Sequence, residues 1–198
     1  MTSTVLVRAA AQPAAAISEI NGFERLPQNC VLFKRTDTKV YYLIEVKPGT
    51  FDITIHRKWR GTSGTFKVAM PWQYFLFSWE RVNENEWGIK YYINRSFVLW
   101  SKKRITSLND PCGIARLPNV YGDANGICFG GVYSKVVDHI QRMDDLVNSF
   151  YGSKFNDDLG LRVPYKSMEV WQEKTEQNPF CWMGWRFSTV TLAQRLGL

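Results

Sequence analysis

The chain has 198 residues, 45% of them apolar and 15% aromatic, with 25 Lys and Arg against 18 Asp and Glu for a net charge of +7. That length can bury a sizeable core and sits near the upper end for one domain. No apolar run approaches the roughly 18 residues of a membrane span, so a soluble protein is expected, and the basic balance favours an anionic partner without naming one.

Residues 1–29 read as an N-terminal arm, in which Ile17, Ile20 and Phe23 share one face of a short helix begun after Pro13. The alanine-rich patch Ala9 to Ala16 carries a Gln-Pro break and lacks the leucine-rich centre of a secretory signal. A single domain is then expected over residues 30–198. Val31-Leu32-Phe33, Val40 to Val46 and Phe51 to Ile55 are short β-branched and aromatic runs that read as a meander, with Pro48-Gly49 suited to a tight turn. Further strands are predicted over Thr65 to Ala69, Tyr74 to Arg81 and Trp87 to Trp100, with Asn83 to Glu86 as the polar turn between the last two. Large residues stand at nearly every position from Tyr74 to Phe77, which predicts a sheet covered on both faces, one of them by later helices.

Beyond Cys128 the spacing becomes helical. Val136, Val137, Ile140, Met143, Leu146, Val147 and Phe150 form one apolar face of a helix that Gly152 can end. A second helix is predicted from about Ser167 to Gln177, followed by a tryptophan-rich tail, Phe180 to Phe187. The fold class is therefore α+β, an antiparallel sheet packed against helices.

The four cysteines, Cys30, Cys112, Cys128 and Cys181, are far apart and lack a CxxC or histidine-rich partner pattern. Neither a zinc site, nor any other metal or cofactor, nor a disulfide framework is signalled, and reduced thiols in a cytoplasmic setting are expected. His56 and His139 are isolated and read as surface or packing residues. Arg57-Lys58-Arg60 and Lys102-Lys103-Arg104 lie beside Trp59 and Trp100. Cations next to stacking rings are what nucleic-acid binding needs, while solvated strand ends beside amphipathic tryptophans explain the same residues.

One segment differs in kind. Leu117-Pro118-Asn119-Val120-Tyr121-Gly122-Asp123-Ala124-Asn125-Gly126-Ile127-Cys128-Phe129-Gly130-Gly131 is a glycine-rich loop that delivers a cysteine between apolar neighbours. A side-chain amide held near a thiol suits acyl transfer. Asn119 can stabilise the oxyanion formed when a nucleophile attacks a carbonyl carried on Cys128, and the backbone amides of Gly130 and Gly131 can assist. Tyr121, between the two, is a further candidate binding residue.

At these residues the chain resembles the ubiquitin-conjugating (UBC-like) superfamily, whose motif runs from His-Pro-Asn through a short flap to Gly-x-Ile-Cys. Leu-Pro-Asn-Val-Tyr, Gly-Ile-Cys-Phe-Gly and Ser149-Phe150-Tyr151-Gly152-Ser153-Lys154-Phe155-Asn156 are most similar to prokaryotic ubiquitin-conjugating-like family D, which includes the PRTRC system protein B of plasmids and phages. The resemblance covers roughly residues 65–160. Leu117 stands where the superfamily has His, the Asn-to-Cys spacing is about one residue longer, and Gly130 stands where many members carry an acidic residue.

The resemblance implies a UBC-like fold and a thioester on Cys128, with a ubiquitin-like protein and an activating enzyme as partners. A second function stays open beside it: a non-catalytic structural or interaction protein of a phage or plasmid-encoded assembly, self-associating or built into a virion. In that case the N-terminal arm and the tail tryptophans Trp171, Trp182 and Trp185 would make contacts, although core packing accounts for those rings equally well.

Overall fold

The period-two alternation of a strand divides the aromatic run after Pro71 between two faces. Gln73, Phe75, Phe77 and Trp79 go one way, and Trp72, Tyr74, Leu76 and Ser78 the other. A computed structural model of the protein describes residues 3–6, 28–56, 63–85, 88–121, 126–129, 136–137, 144–156, 163–186 and 190–196. In it the run forms the centre of a sheet with a hydrophobic core on each side.

The strands are β1 (Ser3–Leu6), β2 (Cys30–Arg35), β3 (Lys39–Val46), β4 (Gly49–Ile55), β5 (Gly64–Met70), β6 (Trp72–Asn85), β7 (Gly88–Ser101), β8 (Gly113–Ile114) and β9 (Val136–Val137). The helices are α1 (Asp144–Gly152), α2 (Met168–Gln177) and α3 (Leu192–Leu196), with a 3-10 turn over Cys181–Gly184. The main sheet runs β1-β2-β3-β6-β7-β8, all antiparallel, and β9 also pairs with β7. The α+β architecture with a mainly antiparallel sheet agrees with the sequence.

The expected meander is broken, however. β3 pairs with β6 and not with β4, because β4 and β5 leave the sheet as a hairpin and form a second, two-stranded sheet. This hairpin lies over one face of the main sheet. Its Ile53, Ile55, Phe66 and Val68 join Phe75, Phe77, Trp79, Leu146, Phe150 and Trp171 in the larger core. Complete burial of an aliphatic or aromatic side chain of this size stabilises by about 1.5–3 kcal/mol. The smaller core, on the opposite face, gathers Leu32, Leu43, Tyr74, Leu76 and Leu99 under Ile105, Cys112 and Leu192.

Helix α2 closes the outer edge of β5 with side chains. Its Thr175 Oγ1 accepts from the Ala69 N–H at 2.9 Å, Trp171 Nε1 donates to the Ala69 carbonyl at 3.1 Å, and Gln172 Oε1 accepts from the Lys67 N–H at 3.0 Å. An open edge would otherwise present those groups to another strand. Ser167 caps the helix by accepting from the Val170 N–H at 3.3 Å. The tail packs inward, since Trp185 lies 5.0 Å from Trp100 and 5.6 Å from Trp171 between ring centroids.

Two further expectations change. Residues 3–6 of the arm form β1 and extend the main sheet, while the helix after Pro13 falls outside the described residues. Val136 and Val137 are strand and not helix, paired with Tyr92 and Tyr91 on β7, while Ile140 and Met143 of the expected helical face lie outside the described residues and the described helix runs Asp144–Gly152. It ends at Gly152 as expected. Among the described residues, no helix is long and apolar enough to cross a membrane.

Candidate functional site

Beyond β8 the chain turns into the Asn119–Cys128 loop, which is closed by its own backbone. Val120 and Ile127 form an antiparallel bridge; around it Tyr121 N–H donates to the Gly126 carbonyl at 3.0 Å, and Cys128 N–H to the Asn119 carbonyl at 2.7 Å. Leu117, Val120 and Ile127 are buried in the larger core and anchor the loop from below.

Two contacts seat the loop on β7. Ile127 N–H donates to Ser96 Oγ on β7 at 3.2 Å. Gly126, with φ at +93°, comes so close that a Cβ there would stand 2.3 Å from the Ser96 carbonyl oxygen. Only glycine allows that approach and that backbone angle together. Asn119 is itself left-handed, with φ at 61°, a conformation asparagine tolerates better than most residues.

The Asn119 side chain is buried and engaged. Its Oδ1 accepts from Asn156 N–H at 3.2 Å and its Nδ2 donates to the Lys154 carbonyl at 3.4 Å. Between those two residues, Phe155 donates its N–H to Thr54 and accepts from the N–H of His56, both on the β4 side. The segment 154–156 thus lies between β4 and the Asn119 carboxamide.

Asn119, Tyr121 and Cys128 therefore belong to one bridged unit. Cys128 and Tyr121 are half-buried, whereas Cys30 and Cys112 are buried. Burial pushes the Cys112 thiol up to about 11, partly opposed by the charge of Arg195. The Cys30 thiol donates to the Leu32 carbonyl at 3.2 Å. Cys181 is half-buried on the 3-10 turn, away from the loop in sequence.

Gly130 and Gly131 lie outside the described residues, as do Gly122 to Asn125, Arg57 to Arg60 and His139. His56 is exposed and takes part in the β4 bridge through its backbone. Among the described residues, no group of three or more His, Cys, Asp or Glu is placed to hold a metal ion. Sequence reasoning missed Ser96 and did not connect Lys154 and Asn156 to Asn119; the latter two appear only within the resemblance.

A polar cluster, with Glu45 and Tyr74 buried and Arg104 exposed, lies at one end of the smaller core. Arg104 Nε donates to Glu45 Oε1 and Oε2 at 3.1 and 3.0 Å, Tyr74 Oη donates to Glu45 Oε2 at 3.2 Å, and Ile105 N–H donates to Tyr74 Oη at 2.7 Å. Burial raises the Tyr74 phenol well above the ordinary tyrosine range, the Ile105 bond partly opposing it. No family model, curated protein or solved structure matches the chain.

Proposed function

We propose that this chain is a ubiquitin-conjugating-like protein that carries an acyl or ubiquitin-like group as a thioester on Cys128. The observation that supports this most is the setting of Cys128: its backbone is fixed by the Asn119 carbonyl while its side chain is half-open. A carrier thiol needs both properties, access for the incoming carbonyl and a defined position for the group once attached. The thiol sulfur would attack the donor thioester, the donor's thiol would leave, and a later amine attack would return the Cys128 thiol. Asn119 is assigned the work of holding the loop, because its carboxamide already binds the 154–156 backbone; its second Nδ2 hydrogen is the one left for an oxyanion. An activating enzyme and a small ubiquitin-like protein are the partners this reading requires.

The reading is tested with a thioester of a glycine-ended ubiquitin-like protein. Intact mass spectrometry is expected to show a single adduct that a reducing thiol removes, absent in Cys128→Ala and retained in Cys181→Ala. No adduct, or one equally abundant in both variants, removes the assignment. A second reading, an interaction protein without thiol chemistry, draws on Phe180 and Met183, exposed at 61% and 54% on either side of the buried Trp182. It predicts concentration-dependent association that Phe180→Ser with Met183→Ser abolishes.

A further inference from the structure

One face of the main sheet is divided across its strands. The register aligns Leu32, Leu43, Leu76 and Phe97 in a row that belongs to the smaller core. The next row of the same face is Lys34, Tyr41, Ser78 and Arg95, and the one beyond it is Lys39, Glu80 and Tyr92. Here the cover thins: Ser78, between Tyr41 and Arg95, is still buried, but the larger side chains around it reach solvent. Arg95 and Tyr92 are exposed, and Lys34, Lys39 and Tyr41 are half-exposed. The Lys34 ammonium stands 5.9 Å from the centre of the Tyr41 ring.

We infer that this half-face binds single-stranded nucleic acid. Lys34, Lys39 and Arg95 supply cations from three strands beside the carboxylate of Glu80, while Tyr41 and Tyr92 stand among them as rings on a partly exposed sheet face. Strands lie about 4.8 Å apart and successive rows about 6.8 Å, so the two rings, on β3 and β7 and one row apart, stand about 12 Å from each other, room for bases on the rings and phosphates at the cations. An acidic protein would use the charges and leave the rings without a role. A duplex hides its base faces and offers a flat sheet nothing to stack on.

The basic cluster most visible in the sequence does not have this arrangement. Beside Lys102-Lys103-Arg104, Trp100 is only 1% exposed, and Arg104 is bound to Glu45. That cluster therefore serves as the charge control. The proposed surface is independent of the Cys128 loop, whose apolar residues enter the core on the other face.

The test is fluorescence anisotropy of a labelled oligothymidylate of about 16 nucleotides, which spans one such surface. With three phosphate contacts, affinity should fall about twentyfold between about 50 and 200 mM salt. Tyr92→Ala and Tyr41→Ala should each weaken binding about tenfold, and Lys34→Glu with Arg95→Glu should abolish it. Lys102→Glu with Lys103→Glu should change it by about threefold at most. The exposed position of Tyr92 and the two surface charges keep the test decisive if Tyr41→Ala does not fold. The inference is overturned by absence of binding at low salt, by tyrosine variants that bind like the parent, by equal losses in the two charge-reversed variants, or by a duplex that competes as well as the single strand.

Discussion

The carboxamide of Asn119 stands beside Phe155 as a peptide group of a neighbouring strand would. It accepts from the residue after Phe155 and donates to the residue before it, while the Phe155 backbone pairs with β4 on its other side. One side chain therefore ties the Cys128 loop to the segment after α1 and, through it, to the β4–β5 sheet. Phe155 itself is fully buried, packed edge-on against Phe150 at 5.1 Å.

Replacing Asn119 separates two effects. Asn119→Ala leaves the Asn156 N–H and the Lys154 carbonyl without their partner and also places an ordinary residue at a left-handed angle. A loss of about 2–4 kcal/mol is expected from the two terms together. Asn119→Gly keeps the backbone at ease and loses the bonds alone, so its urea midpoint should fall between those of the parent and Asn119→Ala. A midpoint for Asn119→Gly at or above the parent's would mean that the carboxamide bonds contribute nothing.

Gly126→Ala tests how the loop is seated on β7. A methyl group 2.3 Å from the Ser96 carbonyl oxygen forces the loop away or moves the strand. The expected cost is about 2–4 kcal/mol in overpacking and backbone strain, with faster alkylation of Cys128 as the loop lifts. Ser96→Ala removes only the acceptor for Ile127 and should cost about 1 kcal/mol. Thermal melting ranks the two variants, and peptide mass spectrometry reads the alkylation.

Much of the fold was legible in the sequence, and the exceptions share a cause. The β-branched and aromatic runs from Cys30 to Trp100 mark strands because side-chain type is local information, and the filled faces of β6 follow from Tyr74 to Phe77. What Pro48-Gly49 does not contain is the identity of the partner strand; a turn of either kind can feed the next strand of the same sheet or a hairpin in another. Val136 and Val137 fit a helical face only while the open edge of β7 at Tyr91 and Tyr92 is left out of account. The loop around Cys128 was legible as a unit, but the work of Asn119 depends on Lys154 and Asn156, far along the chain, and no spacing rule carries that contact.

Thr175 of α2 offers a test of the helix as a sheet edge. Its hydroxyl accepts from the Ala69 N–H and donates to the Trp171 carbonyl, both at 2.9 Å. Thr175→Val keeps the shape and leaves a buried N–H alone, for an expected loss of about 1–3 kcal/mol in urea unfolding. Thr175→Ser keeps the oxygen and should recover most of it. Equal loss in the two variants would assign the effect to the missing methyl group instead.

The Glu45 cluster is expected to depend more on Tyr74 than on Arg104. Tyr74→Phe deprives Glu45 of a donor and leaves the buried Ile105 N–H unsatisfied, at a cost of about 1–3 kcal/mol. The Arg104 side chain is 45% exposed, so water screens its pairing and can replace part of it. Arg104→Ala should therefore cost less than Tyr74→Phe, and chemical unfolding at neutral pH gives the comparison. A larger loss for Arg104→Ala would mean that Glu45 is held mainly by its ion pair.

Alkaline stability follows from Cys112. Its thiol, fully buried, is raised from an ordinary 9.0 to about 11 in the folded protein, so the unfolded chain ionises first and binds fewer protons. Stability is then whole below pH 9 and declines as the pH rises from there to about 11, where the folded thiol ionises as well. The buried phenols of Tyr74 and Tyr151, both raised by burial, extend the decline to higher pH. Unfolding midpoints taken across this range should slope downward, and Cys112→Ala should flatten the first part of the slope while leaving the part due to the tyrosines. An unchanged slope in Cys112→Ala would place the alkaline sensitivity elsewhere. At pH 8 the same burial predicts that iodoacetamide labels Cys128 and Cys181 in the folded protein and reaches Cys30 and Cys112 only after unfolding.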